Sequence, residues 1–238
     1  MSPPLIEIDA AIARICLAAC DAAYDNDPNV RAAALAVAGI TELAYLQGAI
    51  DARALYCQKD DQRYLAFQGT QFTEVEITSI LANLQSDPVD IGGGRQVHAG
   101  YWGQLQALLP LVLPAVAGHP CIITGHSMGG TISHLTQATP LIEIMQGIVS
   151  FGAPKSANAA FWASVDQRNV TRLVNACDFA PTYPLLPQEW VQPEHGEFWL
   201  HGGGLEWLPG QDARPVLADS VPDHMLPAYA ASLGVTLG

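Results

Sequence analysis

An apolar run, Cys121-Ile122-Ile123-Thr124, leads straight into Gly125-His126-Ser127-Met128-Gly129. Residues Gly130 to Leu135 can continue as a helix. The pattern G-x-S-x-G alone is weak, but a buried strand, a tight turn and a helix in immediate succession make it specific. Such a turn holds Ser127 in a strained backbone conformation, with its hydroxyl clear of the sheet. Glycine is expected at 125 and 129 because a side chain there would collide with the neighbouring strand or helix. The N-terminus of the following helix favours a developing negative charge. Ser127 is therefore read as a nucleophile.

The rest of the chain fits a layered α/β architecture. Leu5, Ile8, Ile12, Ile15 and Ala19 recur at helical spacing, so residues 5–23 read as an amphipathic helix. A second helix is read over 29–38. Arg53 to Gln58 and Arg63 to Gln68 flank Lys59-Asp60-Asp61 and suggest a hairpin. Leu105 to Val116 is strongly apolar and helical in character, with Pro110 and Pro114 expected to kink or split it. Strands are read at 147–151 and 170–175, a helix near 157–167 and a last helix at 224–233. Residues 179–195 carry four prolines and read as a long loop. Strand–helix alternation from about residue 95 predicts a mostly parallel sheet covered on both faces. With no repeat or linker visible, one domain spanning 1–238 is the economical reading.

Composition excludes several classes. Half of the residues are apolar and 14% are charged, which suits a sizeable core. Ten basic against 23 acidic residues give a net charge of −13, so a basic nucleic-acid-binding surface is not expected. The five cysteines form no CxxC pair, so neither a zinc site nor a disulfide framework is signalled. Cys16 and Cys20 read as small buried hydrophobes. No signal peptide is visible at the start, and no run approaches a membrane span.

Five ordered blocks resemble the class 3 lipases, the fungal triacylglycerol lipase-like family. Gly125-His126-Ser127-Met128-Gly129-Gly130 resembles its G-H-S-[LM]-G-G elbow. Ala66-Phe67-Gln68-Gly69-Thr70 resembles its F-R-G-[ST] segment, and Val97-His98-Ala99-Gly100-Tyr101 its V-H-x-G-[FY] block. Phe151-Gly152-Ala153-Pro154-Lys155 with Asn158 and Phe161 is similar to F-G-x-P-[RK]-x-x-N-x-x-F. Arg172 to Asp178 with Pro181 resembles R-[VL]-V-N-x-x-D-x-x-P. The resemblance implies an α/β-hydrolase fold, with a mostly parallel central sheet flanked by helices.

A serine nucleophile needs a base, and histidine is the usual one. In this fold the acid and then the histidine follow the serine. That order leaves His195, His201 and His224. His201 opens the sequence His201-Gly202-Gly203-Gly204, but Phe198 to Trp207 resembles a structural strand block of the family, so His201 reads as structural. His224 lies where a loop enters the last helix, and Asp223 to Tyr229 resembles the family's H-x-x-Y block with the tyrosine two places late. His224 is the preferred base. Asp178 directly follows a strand and stands where the family carries its acid. Asp212, Asp219 and Asp223 are the alternatives, read as solvated surface groups.

The second element of such a site is a pair of donors for the oxyanion, worth roughly 3–4 kcal/mol each. One is the backbone N–H of Met128, after the nucleophile. The resemblance puts the second at Thr70, through its N–H and hydroxyl. Residues 71–92 follow. Ile77, Ile80, Leu81 and Leu84 share one helical face, preceded by Phe72, and Gly92-Gly93-Gly94 offers a flexible return. This stretch is either a core-packed helix or, as the resemblance implies, a lid. Contact with a lipid interface would then come from this apolar patch, because the acidic surface is repelled by anionic membranes.

The sequence thus points to a serine carboxylester hydrolase acting on lipid or acyl esters, needing no metal or organic cofactor. Phospholipase A1 or feruloyl esterase specificity is open on the same scaffold. A catalytically silent lipase-like binding module and a peptidase or acyltransferase are the other readings. Oligomeric state is not legible.

Overall fold

The computed structural model describes residues 10–71, 87–183, 190–202, 204–208 and 220–238. Two helices open it, α1 (Ala10–Ala23) and α2 (Pro28–Val37). Pro28 sits in the first turn of α2, and the Asp27 side chain accepts from Asn29 N–H there. Three strands follow: β1 (Thr41–Gln47), β2 (Arg53–Lys59) and β3 (Gln62–Phe67). A small hairpin, β4 (Pro88–Asp90) and β5 (Gln96–His98), precedes α3 (Ala99–Val116). Then come β6 (Cys121–His126), α4 (Met128–Leu135), β7 (Met145–Phe151), β8 (Ala157–Asn158), α5 (Ala159–Ser164) and β9 (Val170–Asn175). The chain ends with β10 (Trp190–Val191), β11 (Glu197–His201), β12 (Gly204–Leu208), α6 (Val221–His224) and α7 (Leu226–Leu233).

Eight strands form the main sheet in the order β1-β2-β3-β6-β7-β9-β11-β12. Its centre, from β3 to β11, is parallel, whereas β1-β2-β3 and β11-β12 pair antiparallel. The central strands β6 and β9 are buried along their whole length, polar Thr124, Thr171, Arg172 and Asn175 included. Alternate strand residues feed two cores. Leu55, Cys57, Tyr64, Ala66, Ile122 and Phe151 face α1, α2 and α7. Tyr56, Leu65, Phe67, Ile123 and Ile148 face α3, α4 and α5. The period of two thus produces the three layers.

Several expectations are corrected. The β1 strand was not legible: Thr41–Gln47 lies at the sheet edge, and none of its residues is fully buried. Helix α3 runs unbroken through Pro110 and Pro114. Both prolines are exposed, as is Gln106, so the carbonyl that loses its partner at Pro110 faces water. Gly92-Gly93-Gly94, with positive φ at all three, turns the β4–β5 hairpin, where Arg95 donates to the Gly92 and Ile91 carbonyls. The last helix is two pieces, because Met225 between α6 and α7 is extended. The Pro-rich loop includes a 3-10 turn at Ala180–Thr182 and strand β10. No described helix is long and apolar enough to cross a membrane.

Candidate active site

Strand β6 ends at His126, and α4 begins at Met128. Between them Ser127 adopts φ 56° and ψ −125°, a conformation costly for any residue with a side chain. The surroundings hold it there: Ser127 N–H donates to the Phe151 carbonyl at 2.9 Å, and its own carbonyl accepts from Thr131 N–H at 3.1 Å. The glycines keep the turn tight in two different ways. A Cβ on Gly125 would overlap the Gly129 carbonyl and lie 2.5 Å from Gly130 N, both on the following helix. One on Gly129 would overlap the Phe67 carbonyl on the neighbouring strand.

The parallel sheet then delivers the partners. Strand β9 ends at Asn175, and the next turn places Asp178 over the same sheet edge as Ser127. A parallel bridge from Asp178 to Ser220 ties that turn to the segment carrying His224. Two further bonds fix the pairing. Cys177 N–H donates to the Asp223 carboxylate at 3.1 Å, and the Asn175 amide donates to the Asp223 carbonyl at 3.0 Å. Asp223 is therefore a structural clamp rather than a solvated surface group. Asp212 and Asp219 lie outside the described residues.

The geometry that results is a continuous relay. Ser127 Oγ lies 2.9 Å from His224 Nε2. His224 Nδ1 lies 2.9 and 3.0 Å from the two carboxylate oxygens of Asp178. All three residues are at most 1% exposed. Burial alone would push the Asp178 carboxyl up, yet it is held below the usual carboxylate range. The His224 ring charge and hydrogen bonds from His224, Tyr229 O–H and Ala180 N–H outweigh the burial. Gly152 makes room for the pair: it has φ 55°, and a Cβ there would lie 2.8 Å from His224 Nδ1 and overlap an Asp178 oxygen.

The remaining expected residues are placed as follows. Phe67 pairs with Gly125 across β3 and β6, so the loop after Phe67 and the elbow leave the sheet at the same level. Thr70 Oγ1 donates to Met128 Sδ at 3.3 Å, bringing the two oxyanion candidates together. The N–H of Met128 opens α4, where the helix dipole is positive. Phe72, Ile77, Ile80, Leu81 and Leu84 lie outside the described residues. His201 stacks on Trp199 and sits 2.8 Å from Glu206 Oε2, away from the serine relay. His195 lies against Trp207.

Two residues at the site escaped the sequence reading. Tyr229 O–H donates to Asp178 Oδ2 at 2.6 Å. Its signal was the late tyrosine of the terminal block: on α7 it stands five residues after His224 and still reaches the acid. His126, inside the elbow, braces the His224 backbone. Its Nε2 lies 2.7 Å from the His224 carbonyl and its Nδ1 2.9 Å from Tyr24 O–H. A carbonyl can only accept, so Nε2 carries the proton and Nδ1 accepts from Tyr24. Burial, with the nearby His224, pushes its pKa down to about 3, so the ring stays neutral.

The layered sheet with its strand–elbow–helix is the α/β-hydrolase fold. Residues 64–188 match the family described as Lipase (class 3). The chain belongs to that family. It is 26% identical to the secreted mono- and diacylglycerol lipase 3 of Gibberella zeae, with 73% of this chain and 65% of that protein covered. The chain thus spans slightly less than two thirds of this relative's length. Among solved structures, one described as a triacylglycerol lipase with a serine protease triad superposes with a TM-score of 0.71 at 19% identity, covering 90% of this chain and 91% of the other. The triacylglyceride lipase of Rhizomucor miehei gives 0.68 at 20% identity, covering 91% and 94%. At these identities the likeness is one of fold.

Proposed function

We propose that this chain is a serine carboxylester hydrolase that cleaves lipid or acyl esters through an acyl-enzyme on Ser127. The observation that carries the reading is the 2.9 Å approach of Ser127 Oγ to His224 Nε2, with Asp178 on the other ring nitrogen. His224 takes the Ser127 proton as Oγ attacks the ester carbonyl carbon. The carbonyl oxygen gains the negative charge and is held by the N–H groups of Met128 and Thr70. His224 then returns the proton to the leaving alcohol oxygen, and the C–O bond breaks. Water, deprotonated by the same ring, attacks the acyl-enzyme and releases the acid. Asp178 orients the ring and stabilises its charged form. Family membership and the mono- and diacylglycerol lipase relative support a lipid ester as substrate.

The segment 71–92 is proposed as a lid in part of its length. Its end, from Pro88, belongs to the small sheet. Ser127 is 1% exposed, which is in keeping with a cover over the nucleophile. No nucleic-acid role is proposed for a chain of charge −13.

The test is Ser127→Ala. It abolishes p-nitrophenyl ester hydrolysis and fluorophosphonate labelling while the circular dichroism spectrum is retained. Retained hydrolysis by the folded variant overturns the assignment, and a silent, unlabelled wild type revives the binding-module reading.

A further inference from the structure

A cavity of about 290 Å³ opens beside the serine relay. It is lined by Asp21 and Tyr24 from the end of α1, by Thr70 and Gln71, by His126, and by Met225, Leu226 and Pro227. Its position relative to the chemistry follows from the relay. In an ester bound at Ser127 the carbonyl oxygen faces Thr70 and Met128. The leaving oxygen must face His224 Nε2, because that atom returns the proton to it. The alcohol arm therefore leaves on the His224 side, where the next three residues form one wall of this cavity.

Met225, Leu226 and Pro227 make that wall apolar, and Asp21 brings a carboxyl group to the lining. Among the described lining residues none is a Lys or Arg that would neutralise it. The other polar lining groups are already engaged. Tyr24 O–H donates to His126, whose second nitrogen donates to the His224 carbonyl, and the Gln71 amide donates to the Tyr24 carbonyl at 2.5 Å. Asp21 accepts a backbone N–H from Gly238, and Asp25 is the nearby like charge. A carboxylate has about four acceptor sites, so one backbone donor leaves it with capacity. Partial burial pushes its pKa up to about 6, the mark of a carboxyl short of donors.

Resting on the ester-hydrolase reading, we propose that this cavity is the leaving-alcohol site and that Asp21 selects alcohols bearing a free hydroxyl. Esters of glycerol with unesterified hydroxyls, the partial acylglycerols, are the fitting substrate class. Such a hydroxyl donates to Asp21 while the carbon skeleton lies on Met225, Leu226 and Pro227. A fully acylated glycerol offers Asp21 no donor, and a simple alkyl alcohol offers none beyond the reacting oxygen.

The acyl-enzyme makes the test independent of overall activity. It is formed from p-nitrophenyl butyrate in the presence of equal glycerol and propan-1-ol, and the ratio of glyceryl to propyl butyrate is measured. In deacylation either alcohol gives its proton to His224, its oxygen bonds to the acyl carbon and Ser127 is released. By microscopic reversibility the accepting alcohol occupies the leaving-alcohol site. The wild type favours glycerol. Asp21→Leu lowers the glyceryl-to-propyl ratio about tenfold, equivalent to about 1.4 kcal/mol for one hydrogen bond to a charged group. Asp21→Asn, which keeps an acceptor and loses the charge, gives a smaller drop and guards against misfolding of the leucine variant. The ratio of kcat/KM for monobutyrin to that for methyl butyrate falls in parallel. Ratios unchanged in both variants, or a wild type with no preference for glycerol, overturn the role of Asp21. Wild type that releases no p-nitrophenol at all overturns the ester-hydrolase reading beneath it.

Discussion

Tyr229→Phe removes the hydroxyl that bonds Asp178. The ring is fully buried and packs against Phe151 and His126, with centroids 5.7 and 5.9 Å away. Phenylalanine keeps those contacts and removes the hydroxyl, which donates to Asp178 Oδ2 at 2.6 Å and lies 3.4 Å from the Leu173 carbonyl. A hydrogen bond to a charged acceptor contributes about 1.5–3 kcal/mol, and Asp178 is 1% exposed, so solvent screens little of it. The expected destabilisation is about 2 kcal/mol at pH 7, or roughly 4–8 °C in Tm for a chain of this size. The pH dependence has a definite sign. Asp178 is depressed in the folded state, so its contribution is full above the unfolded carboxyl value of about 3.9 and is lost as pH falls through the lower folded value. Removing the tyrosine hydroxyl raises that folded value towards normal. The variant therefore acid-unfolds at higher pH than the wild type. Urea unfolding followed by tryptophan fluorescence at pH 7, with an acid titration beside it, measures both effects. Equal stability at pH 7, or an unshifted acid transition, refutes the view that Tyr229 holds the charged form of Asp178. Turnover provides a second contrast. Tyr229→Phe leaves the imidazole tautomer intact and costs about tenfold or less in kcat, whereas Asp178→Asn costs about 10⁴, as it does in serine proteases.

Two further outcomes follow from packing around the site. Gly152→Ala combines a strained φ of 55° with a methyl group against His224 and Asp178, so kcat falls at least 100-fold while stability drops by only about 1–3 kcal/mol. Activity near wild type, with the variant folded by thermal melt, counts against the crowding. Arg172 and Glu197 form an ion pair at 2.7 Å between β9 and β11, with both side chains at most 3% exposed. Arg172→Met leaves Glu197 buried without that partner and costs about 3–5 kcal/mol, whereas Arg172→Met with Glu197→Leu recovers most of the loss. Additive losses in urea melts refute the coupling.

Local chemistry carried much of this protein in the sequence. The run from Cys121 to Leu135 specified strand, elbow and helix, because a buried parallel strand must be apolar throughout and a tight turn must be glycine-flanked. Asp178 and His224 could be named because chain order and position after a strand restrict the candidates. What the sequence alone could not carry are pairings between distant segments. Thr41–Gln47 is a strand because β2 is beside it, not because of its own pattern. Pro110 and Pro114 sit inside a helix because its solvent face tolerates the missing bonds. Asp223 clamps Cys177, Tyr229 reaches Asp178 and His126 braces the His224 backbone across sequence separations of 46, 51 and 98 residues. Asp21 met the site only when α1 packed across the sheet towards the His224 loop. Periodicity records how each segment buries one face, so it determines the layers. Which polar atom meets which across those layers is decided only when the layers close, because a hydrogen bond depends on angstroms of position that no local pattern encodes.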